Sequence, residues 1–436
     1  MTGGAHVSCC LHQEAKEEYG LTVPQYKVLL SAYGCEPNKG SEPGVGWNTA
    51  LAVAKFHRVW VITRSNNREA IEAELSASHC PNLNFVYYDL PRWARWWKRG
   101  PKGVQLYYYL WQVAAYFVAR RLHSNVRFDL IHHITWGKYW APSFLALLPV
   151  PFVFGPVGGA ESAPASFWQD FGYRGWLFEM ARELARSASE LDPFVRATIR
   201  KSSVALAKTE ESAERLRCLG AQRVELQGES ALSQRDVDFL AGQHLATPAP
   251  GTPFRFVSIG VLLHLKGFHL GLKAFAEARI RDAEYWIIGN GPEKQQLVKI
   301  AETLGVRRQL KFLGLLPRRE VLMQLKACDA LVHPSLHDSG GWVCLEAMAA
   351  GKPVICLDLG GPGVQVNPST GFKVPAIRPD QVVHDLALIM KRLEMNRRLG
   401  AELGAAGRAH VSKVYTWGNK GRYYDEIYRQ VINETR

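Results

Sequence analysis

The sequence predicts an α/β protein of two domains, each a doubly wound parallel sheet covered by helices. Its 436 residues are enough for two separate cores. Strand-like apolar segments alternate with helical ones from Lys27, and the alternation starts again at residue 254. Residues 241–253 are rich in Ala, Pro, Thr and Gly and are therefore the predicted linker after a first domain, residues 26–240. The polar, irregular residues 1–25 are predicted to be a flexible extension.

Composition narrows the class of protein. The net charge of +13 favours anionic partners such as phosphorylated substrates or anionic lipid. No finger-type Cys/His spacing or aromatic RNA-binding box accompanies it, so we expect no nucleic-acid partner. The eight cysteines contain no Cys-x-x-Cys pair, which argues against a disulfide frame and against structural zinc. No apolar segment of signal-peptide type occurs near the N-terminus, so we expect a cytoplasmic protein.

The first domain opens with a predicted βαβ unit. Residues 27–32 form its first strand, and a helix is predicted from residue 47 to residue 54. The turn between them is glycine-rich and contains Gly40, Gly44 and Gly46. Such turns cradle phosphates in nucleotide-binding folds, although the spacing here is not Gly-x-Gly-x-x-Gly. A plain tight turn is an equally good interpretation.

Residues 91–122 combine Lys, Arg, Trp and Tyr and contain no Asp or Glu. Aromatic rings and cations together suit the headgroup layer of an anionic membrane. The same residues could form a helix packed within the first domain, with its arginines in solvent. The sequence leaves both interpretations open.

A later strand, residues 128–137, ends in polar residues that include His133. Ligands bind beyond the ends of the strands in open parallel sheets, so His133 lies at an edge where a ligand is expected. A buried histidine with a structural role is the more common alternative.

The most informative stretch of the second domain combines a predicted strand, residues 328–333, with a loop and a helix, residues 342–350. Asp338 lies in the loop and Glu346 in the helix. Three small residues precede the helix and expose its N-terminal backbone N–H groups: Ser339, Gly340 and Gly341. Such a helix end favours an anion such as phosphate, and two nearby carboxylates suit a polyhydroxylated ligand such as a nucleotide sugar. The alternative is an ordinary strand and crossover helix.

Two further motifs precede this stretch. Gly260 ends a predicted strand, and Lys266 and Gly267 follow in the next loop. A second predicted strand ends in a Gly-x-Gly-Pro turn whose first three residues are Gly289, Asn290 and Gly291.

Together these motifs resemble the retaining family-4 glycosyltransferases (glycosyl transferases group 1), whose GT-B fold has two doubly wound Rossmann-like domains facing each other across a cleft. The acid-x7-acid stretch, the Lys-Gly pair and the Gly-x-Gly-Pro turn carry the resemblance. It implies that the second domain, residues 254–416, binds a nucleotide sugar and that the first binds the acceptor. It also implies that a terminal helix in residues 417–436 returns to the first domain.

The resemblance implies roles for single residues. Lys266 and the N–H groups of Gly340 and Gly341 would stabilise the leaving diphosphate, Glu346 would hold the ribose hydroxyls, and Asp338 the donor sugar. The other implied donor-binding residues are Gly260, Gly289, Asn290, Gly291 and Ser339, and the implied acceptor-side loop is that of Gly40, Gly44 and Gly46. No metal and no cofactor besides the donor substrate are implied.

Three positions depart from the family pattern. Asp338 stands where the family usually has Glu, and Val261 replaces an Arg that helps to clamp the diphosphate. Gly155 or Pro156 stands where many members carry a functional His, which makes His133 the candidate substitute.

The predicted function is therefore retaining transfer of a sugar from a nucleoside-diphosphate sugar to a hydroxyl acceptor. The expected acceptor is a lipid-linked or polysaccharide precursor, reached by a peripheral protein on the inner face of the membrane through residues 91–122. The alternatives are a nucleotide-sugar-binding partner protein without catalysis and, with less support, a sugar epimerase of similar fold.

Overall fold

The computed structural model describes residues 25–77, 80–98, 103–242 and 251–436. Nearly all of the predicted extension, residues 1–25, and most of the predicted linker, residues 241–253, lie outside these ranges.

The first sheet has seven parallel strands in the order β3-β2-β1-β4-β5-β6-β7. Its central strands β4 to β6 are buried along their whole length, because helices cover both faces. The strands are β1 (Lys27–Ser31), β2 (Arg58–Thr63), β3 (Leu83–Tyr87), β4 (Leu130–His133), β5 (Phe152–Val157), β6 (Val204–Ala207) and β7 (Val224–Leu226). The helices are α1 (Ser41–Ala54), α2 (Arg68–Ala77), α3 (Val104–Val126), α4 (Gly172–Ser189), α5 (Pro193–Arg200) and α6 (Glu210–Cys218).

The second sheet has six parallel strands in the order β10-β9-β8-β11-β12-β13. The strands are β8 (Phe254–Ile259), β9 (Ala283–Ile288), β10 (Leu310–Gly314), β11 (Ala330–His333), β12 (Val354–Leu357) and β13 (Gly371–Val374). The helices are α7 (Gln234–Ala241), α8 (Phe268–Ala278), α9 (Lys294–Thr303), α10 (Arg318–Ala327), α11 (Trp342–Ala349), α12 (Gly360–Gln365), α13 (Pro379–Met395), α14 (Arg397–Val414) and α15 (Trp417–Thr435). The predicted fold class, two doubly wound parallel sheets, is confirmed.

The chain passes between the domains earlier than the composition of residues 241–253 suggested. Val237 and Leu240 of α7, assigned by sequence to the first domain, pack in the core of the second. The crossing lies beside Leu232, whose N–H donates to the Tyr415 carbonyl (2.8 Å) and whose carbonyl accepts from the Trp417 N–H (3.2 Å). The two connections between the domains therefore run side by side, between β7 and α7 and between α14 and α15.

Helix α15 packs against α1 of the first domain. Tyr424, Ile427, Tyr428, Val431 and Ile432 belong to the same apolar cluster as β1. No helix of the described ranges is long and apolar enough to cross a membrane.

Candidate active site

Asp338 is the centre of a hydrogen-bonded cluster between β11 and α11. One carboxylate oxygen lies 2.8 Å from Lys266 Nζ and 3.0 Å from His333 Nε2. The other accepts the backbone N–H groups of Gly340 (3.1 Å) and Gly341 (3.0 Å). The structure therefore brings together three of the predicted features, namely the first acid, the lysine and the N–H groups that precede the helix.

The electrostatics of this cluster favour the ionised acid. Burial alone would raise the pKa of Asp338, but the hydrogen bond from His333, the charges of His333 and Lys266, and the Gly341 N–H hold it well below its usual range. The carboxylate thus occupies the anion position at the start of α11 that the sequence analysis assigned to the donor diphosphate.

Gly267, the residue after Lys266, allows Lys266 to lie beside Asp338. Gly267 has a φ of +62°, and a Cβ atom there would lie 2.0 Å from the carbonyl oxygen of Pro334. The loop after β8 is therefore pressed against the loop after β11, and a residue other than glycine would force the two apart.

Glu346 forms a separate ion-pair network on α11. It is buried, and one of its oxygens lies 2.6 Å from Arg318 Nη1. Arg318 Nη2 lies 3.1 Å from Asp236 of α7. Burial raises the pKa of Glu346, and Arg318 opposes that rise. The second acid is thus held by an arginine and is not in contact with Asp338.

The remaining glycines of the predicted donor side lie at the carboxyl ends of β8 and β9. Gly260 and Gly289 have φ values of +155° and +136°, and a Cβ atom on Gly289 would lie 1.9 Å from the Gly260 carbonyl oxygen. A Cβ atom on Gly291 would lie 2.5 Å from the carbonyl oxygen of Leu262, whereas Asn290 is exposed. These glycines let two adjacent loops pack together at the edge of the sheet that carries Asp338.

The first domain faces this edge through the loop after β5 and through α4. Arg182 Nη1 lies 3.2 Å from His337 Nδ1 and Arg182 Nη2 donates to the Glu161 carbonyl (3.3 Å). A Cβ atom on Gly158 would lie 3.5 Å from Ser339 Cβ, so Ser339 lies where the two domains meet.

His133 is not part of this cluster. It is fully buried beside Phe154, with a ring-centroid distance of 5.5 Å. Within the described part of the chain, neither ring nitrogen forms a hydrogen bond of normal geometry. Burial lowers its pKa to about 3, and the neighbouring His132 adds to that effect. The structure thus places the candidate catalytic histidine in the core.

The second part of the predicted glycine-rich turn of the first domain is helical. Helix α1 begins at Ser41, six residues before the predicted start, so Gly44 and Gly46 lie inside it and Gly40 caps it. A Cβ atom on Gly46 would lie 2.2 Å from a backbone carbonyl oxygen of Gly34. Close packing of the helix against the loop after β1 therefore accounts for Gly46, whereas Gly40 has open space around it.

Sequence reasoning missed Arg318, Glu161 and Arg182. Arg318 is the first residue of α10, at the carboxyl edge of the sheet where ligands bind, and this position was the available signal. The side chain of Glu161 accepts hydrogen bonds from the Gly159 N–H (2.7 Å) and Thr209 Oγ1 (2.9 Å). A partner as distant in sequence as Thr209 leaves no local pattern.

Two Rossmann-like domains that face each other define the GT-B class of folds. Residues 243–403 match the family model Glycos_transf_1, described as glycosyl transferases group 1, which confirms the resemblance seen in the sequence for the second domain.

Among curated proteins, the chain is 32% identical over 185 residues to the lipopolysaccharide core biosynthesis glycosyltransferase LpsD of Rhizobium meliloti. The match covers 40% of this chain and 52% of that protein, so the chain spans about half the length of this relative.

Two solved structures share the fold over nearly the whole chain. A sucrose-phosphate synthase from Thermosynechococcus elongatus has a TM-score of 0.63 at 19% identity, covering 94% of this chain and 100% of that one. Anabaena HepE in complex with UDP has a TM-score of 0.57 at 18% identity, covering 93% and 100%.

Proposed function

We propose that this protein is a retaining glycosyltransferase that moves a sugar, of the hexose type, from a nucleoside-diphosphate donor on the second domain to a hydroxyl acceptor on the first. The Lys266–Asp338 pair at the start of α11 is the observation that carries the proposal. The UDP in the HepE complex is in keeping with a nucleotide-sugar donor. The reaction needs no metal in this proposal, because protein cations and N–H groups meet the leaving diphosphate.

The chemistry follows from where charge develops. The leaving diphosphate gains negative charge in the transition state, so donors already fixed around it lower the barrier. Those donors are Lys266 and the N–H groups of Gly340 and Gly341, which Asp338 occupies in the structure. On donor binding the diphosphate replaces the Asp338 carboxylate there, and Asp338 turns to the hydroxyls of the donor sugar. Glu346 holds the ribose.

The test is donor use by two variants. Lys266→Ala and Glu346→Ala should each lower kcat/KM for the donor by about tenfold or more, or about 1.4 kcal/mol of transition-state stabilisation. Lys299→Ala, which removes an exposed lysine from α9, is the matched control and should leave it unchanged. Unchanged donor hydrolysis and transfer in both site variants would contradict the assignment.

Two other functions are distinguished by the same assay. Val261, with more than half of its surface exposed, replaces one cation of the family's diphosphate clamp and so motivates a nucleotide-sugar-binding protein without catalysis. Incubation with UDP-, GDP- and ADP-sugars separates the cases. Binding without turnover identifies the binding protein, and a changed sugar without an acceptor identifies an epimerase.

We further propose that the acceptor is lipid-linked or a polysaccharide precursor and that the first domain docks on an anionic membrane. Tyr107 and Trp111 of helix α3 are buried, which supports the packed-helix interpretation of residues 91–122. Phe117 on the opposite side is 61% exposed, which supports the membrane interpretation. Before it, Trp93 and Trp96 are each more than three-quarters exposed. Exposed aromatic rings beside cations suit a headgroup layer.

Helix α4 carries a second exposed apolar surface, because its polar side faces inward. Glu179 and Arg186 are buried, and large apolar side chains stand on the outer side of the helix and just beyond its end. These exposed apolar residues are Tyr173, Trp176, Leu177, Phe178, Met180, Leu184 and Leu191. An apolar outer face of this size calls for a covering partner, and an interfacial helix has such a face.

The docking proposal is tested by cosedimentation with anionic liposomes at low salt. The double variant Phe178→Ser/Leu184→Ser should weaken binding by about tenfold or more, because each buried apolar side chain contributes about 1.5–3 kcal/mol. Leu388→Ser removes a similarly exposed leucine from α13 of the second domain and should have no effect. Failure of the unaltered protein to bind these liposomes would refute the docking proposal and leave the transfer reaction untouched.

A further inference from the structure

A basic pocket of about 320 Å³ lies in the first domain, apart from the donor site. Its lining residues are Arg64, Arg92, Arg95, Trp96, Lys98 and Tyr107. Arg64 directly follows β2, and the other lining residues follow β3. The pocket therefore opens at the carboxyl edge of the sheet, the edge at which parallel sheets bind ligands.

The positive charge of the pocket is only partly neutralised. Asp89 accepts from Arg64 Nε (3.1 Å), from Tyr107 Oη (2.5 Å) and from the Ser65 N–H (3.1 Å), and Arg95 Nη1 lies 3.9 Å away. Among the described residues it is the one carboxylate paired with this group of four cations. Its own hydrogen-bonding capacity is largely used, so most of the positive charge faces the pocket without a counter-charge.

Lys98 shows the effect of this excess charge. Its ammonium group lies 4.6 Å from the centre of the Tyr107 ring. Partial burial lowers the pKa of Lys98, and the charges of Arg64 and Arg95 lower it further, while Asp89 opposes them. A bound anion would remove this repulsion, which is a physical reason for the pocket to take one.

A path of ring contacts leads from the pocket to the cleft. The Arg64 guanidinium lies 5.1 Å from the centre of the Tyr33 ring, and the Tyr33 and Trp136 rings are 5.1 Å apart. Next to Trp136, the Gly137 N–H donates to Glu42 of α1 (2.7 Å). Packed rings therefore join the pocket to the loop after β4, which lies at the same edge of the sheet.

We propose that this pocket binds a phosphate group of the acceptor, so that the acceptor class is a phosphorylated or phosphate-linked hydroxyl compound. Guanidinium groups suit phosphate because their planar donors bind two oxygens at once, and the exposed Trp96 ring offers an apolar wall to the carbon skeleton beside it. The proposal rests on the proposed transfer reaction for the meaning of "acceptor", whereas anion binding itself does not depend on it.

The first experiment measures binding of inorganic phosphate by isothermal titration calorimetry at low salt. Arg95→Gln/Lys98→Gln should weaken binding by about tenfold or more, since hydrogen bonds to charged groups are the strong ones. Arg120→Gln/Arg121→Gln removes the same charge from exposed positions of α3 outside the pocket and should have no effect. Lys266→Ala shows whether phosphate binds at the donor site instead. No binding by the unaltered protein, or loss in Lys266→Ala with retention in the pocket variant, overturns the proposal.

The second experiment separates this proposal from the proposed function. The pocket variant should keep its rate of donor hydrolysis without acceptor and lose about tenfold or more in kcat/KM for a phosphorylated acceptor, with little change for its dephosphorylated form. If the unaltered protein turns over no donor, the proposed transfer reaction is refuted. The calorimetry still shows whether the pocket binds phosphate. Equal loss for both forms of the acceptor overturns the pocket's assignment to acceptor phosphate.

The source of the phosphate is found with vesicles of phosphatidylcholine with and without phosphatidic acid. Loss of binding to the acidic vesicles in the pocket variant, with retention in Arg120→Gln/Arg121→Gln, supports a phosphate presented by lipid. Unchanged vesicle binding together with lost phosphate binding supports a soluble phosphorylated acceptor.

Discussion

We predict that the stability of the protein depends on pH through Lys420 of α15. It is buried and donates to the carbonyl oxygens of Gly228 and Ser230, beside the crossing between the domains. The nearest acid, Glu229, already pairs with Lys208 at 2.5 Å. Burial lowers the pKa of Lys420 to about 7; Glu229 opposes that shift and Lys208 adds to it.

The sign follows from proton counting. An unfolded lysine titrates near the ordinary value of 10.5, so between about pH 7 and that value the unfolded state binds more protons than the folded state. The free-energy cost of burying the charged Lys420 side chain is fully present below its folded pKa. It disappears as the pH rises above its unfolded pKa. From about pH 6 to about pH 8.5 this linkage adds about 2 kcal/mol to the free energy of unfolding. With about 2.1 cal/mol/K of unfolding entropy per residue, cooperative unfolding of the chain converts this to about 2 °C.

The assay compares melting temperatures of the unaltered protein and Lys420→Met across this pH range. Because the variant also loses two hydrogen bonds, the informative quantity is the change with pH in the difference between the two proteins. The unaltered protein should gain about 2 °C relative to the variant. Lys413→Met, at an exposed position of α14, should show no such change. A flat or opposite difference would refute the reasoning, because it would mean that Glu229 keeps Lys420 fully charged.

Three further predictions concern the cleft and the core. Gly289→Ala should lower the free energy of unfolding by about 3 kcal/mol or more, because its Cβ atom would lie 1.9 Å from a carbonyl oxygen. Gly305→Ala is the control: its Cβ atom would lie in open space, and the substitution should cost about 1 kcal/mol. Thermal unfolding measures both changes. His133→Phe should keep kcat within about threefold, whereas loss of a catalytic base would cost about a hundredfold or more. Arg318→Met removes the cation that lowers the pKa of Glu346, so the acid limb of the kcat/KM profile should move to higher pH. An unmoved acid limb would mean that Glu346 is not the titrating group.

The sequence predicted the sheets well because buried parallel strands are short apolar runs that end in polar loops. It also indicated the loop and helix that carry Asp338, since glycines before a helix are a local signal. It could not predict that the N–H groups of Gly340 and Gly341 would be bonded to Asp338, because that depends on the rotamer of one side chain.

The errors at the element boundaries have a common cause. Two glycines argued against a helix at Gly44 and Gly46, but close packing of α1 onto the loop after β1 outweighs their low helix propensity. The Ala- and Pro-rich composition of residues 241–253 suggested the domain boundary, but the apolar side of α7 packs on the second sheet. His133 was a candidate catalytic residue at the end of a strand, and the structure agrees with its structural alternative, because both faces of β4 are covered. In each case a tertiary contact decided the outcome.

The return of α15 to the first domain affects how the chain folds during synthesis. Tyr424, Tyr428 and Val431 complete the apolar cluster on β1, yet they are made about two hundred residues after β7 leaves the ribosome. The core of the first sheet therefore remains incomplete until the second domain has been synthesised. A fragment cut at residue 226 would expose that gap to solvent, so the N-terminal half should aggregate on its own and become soluble when α15 is supplied as a peptide.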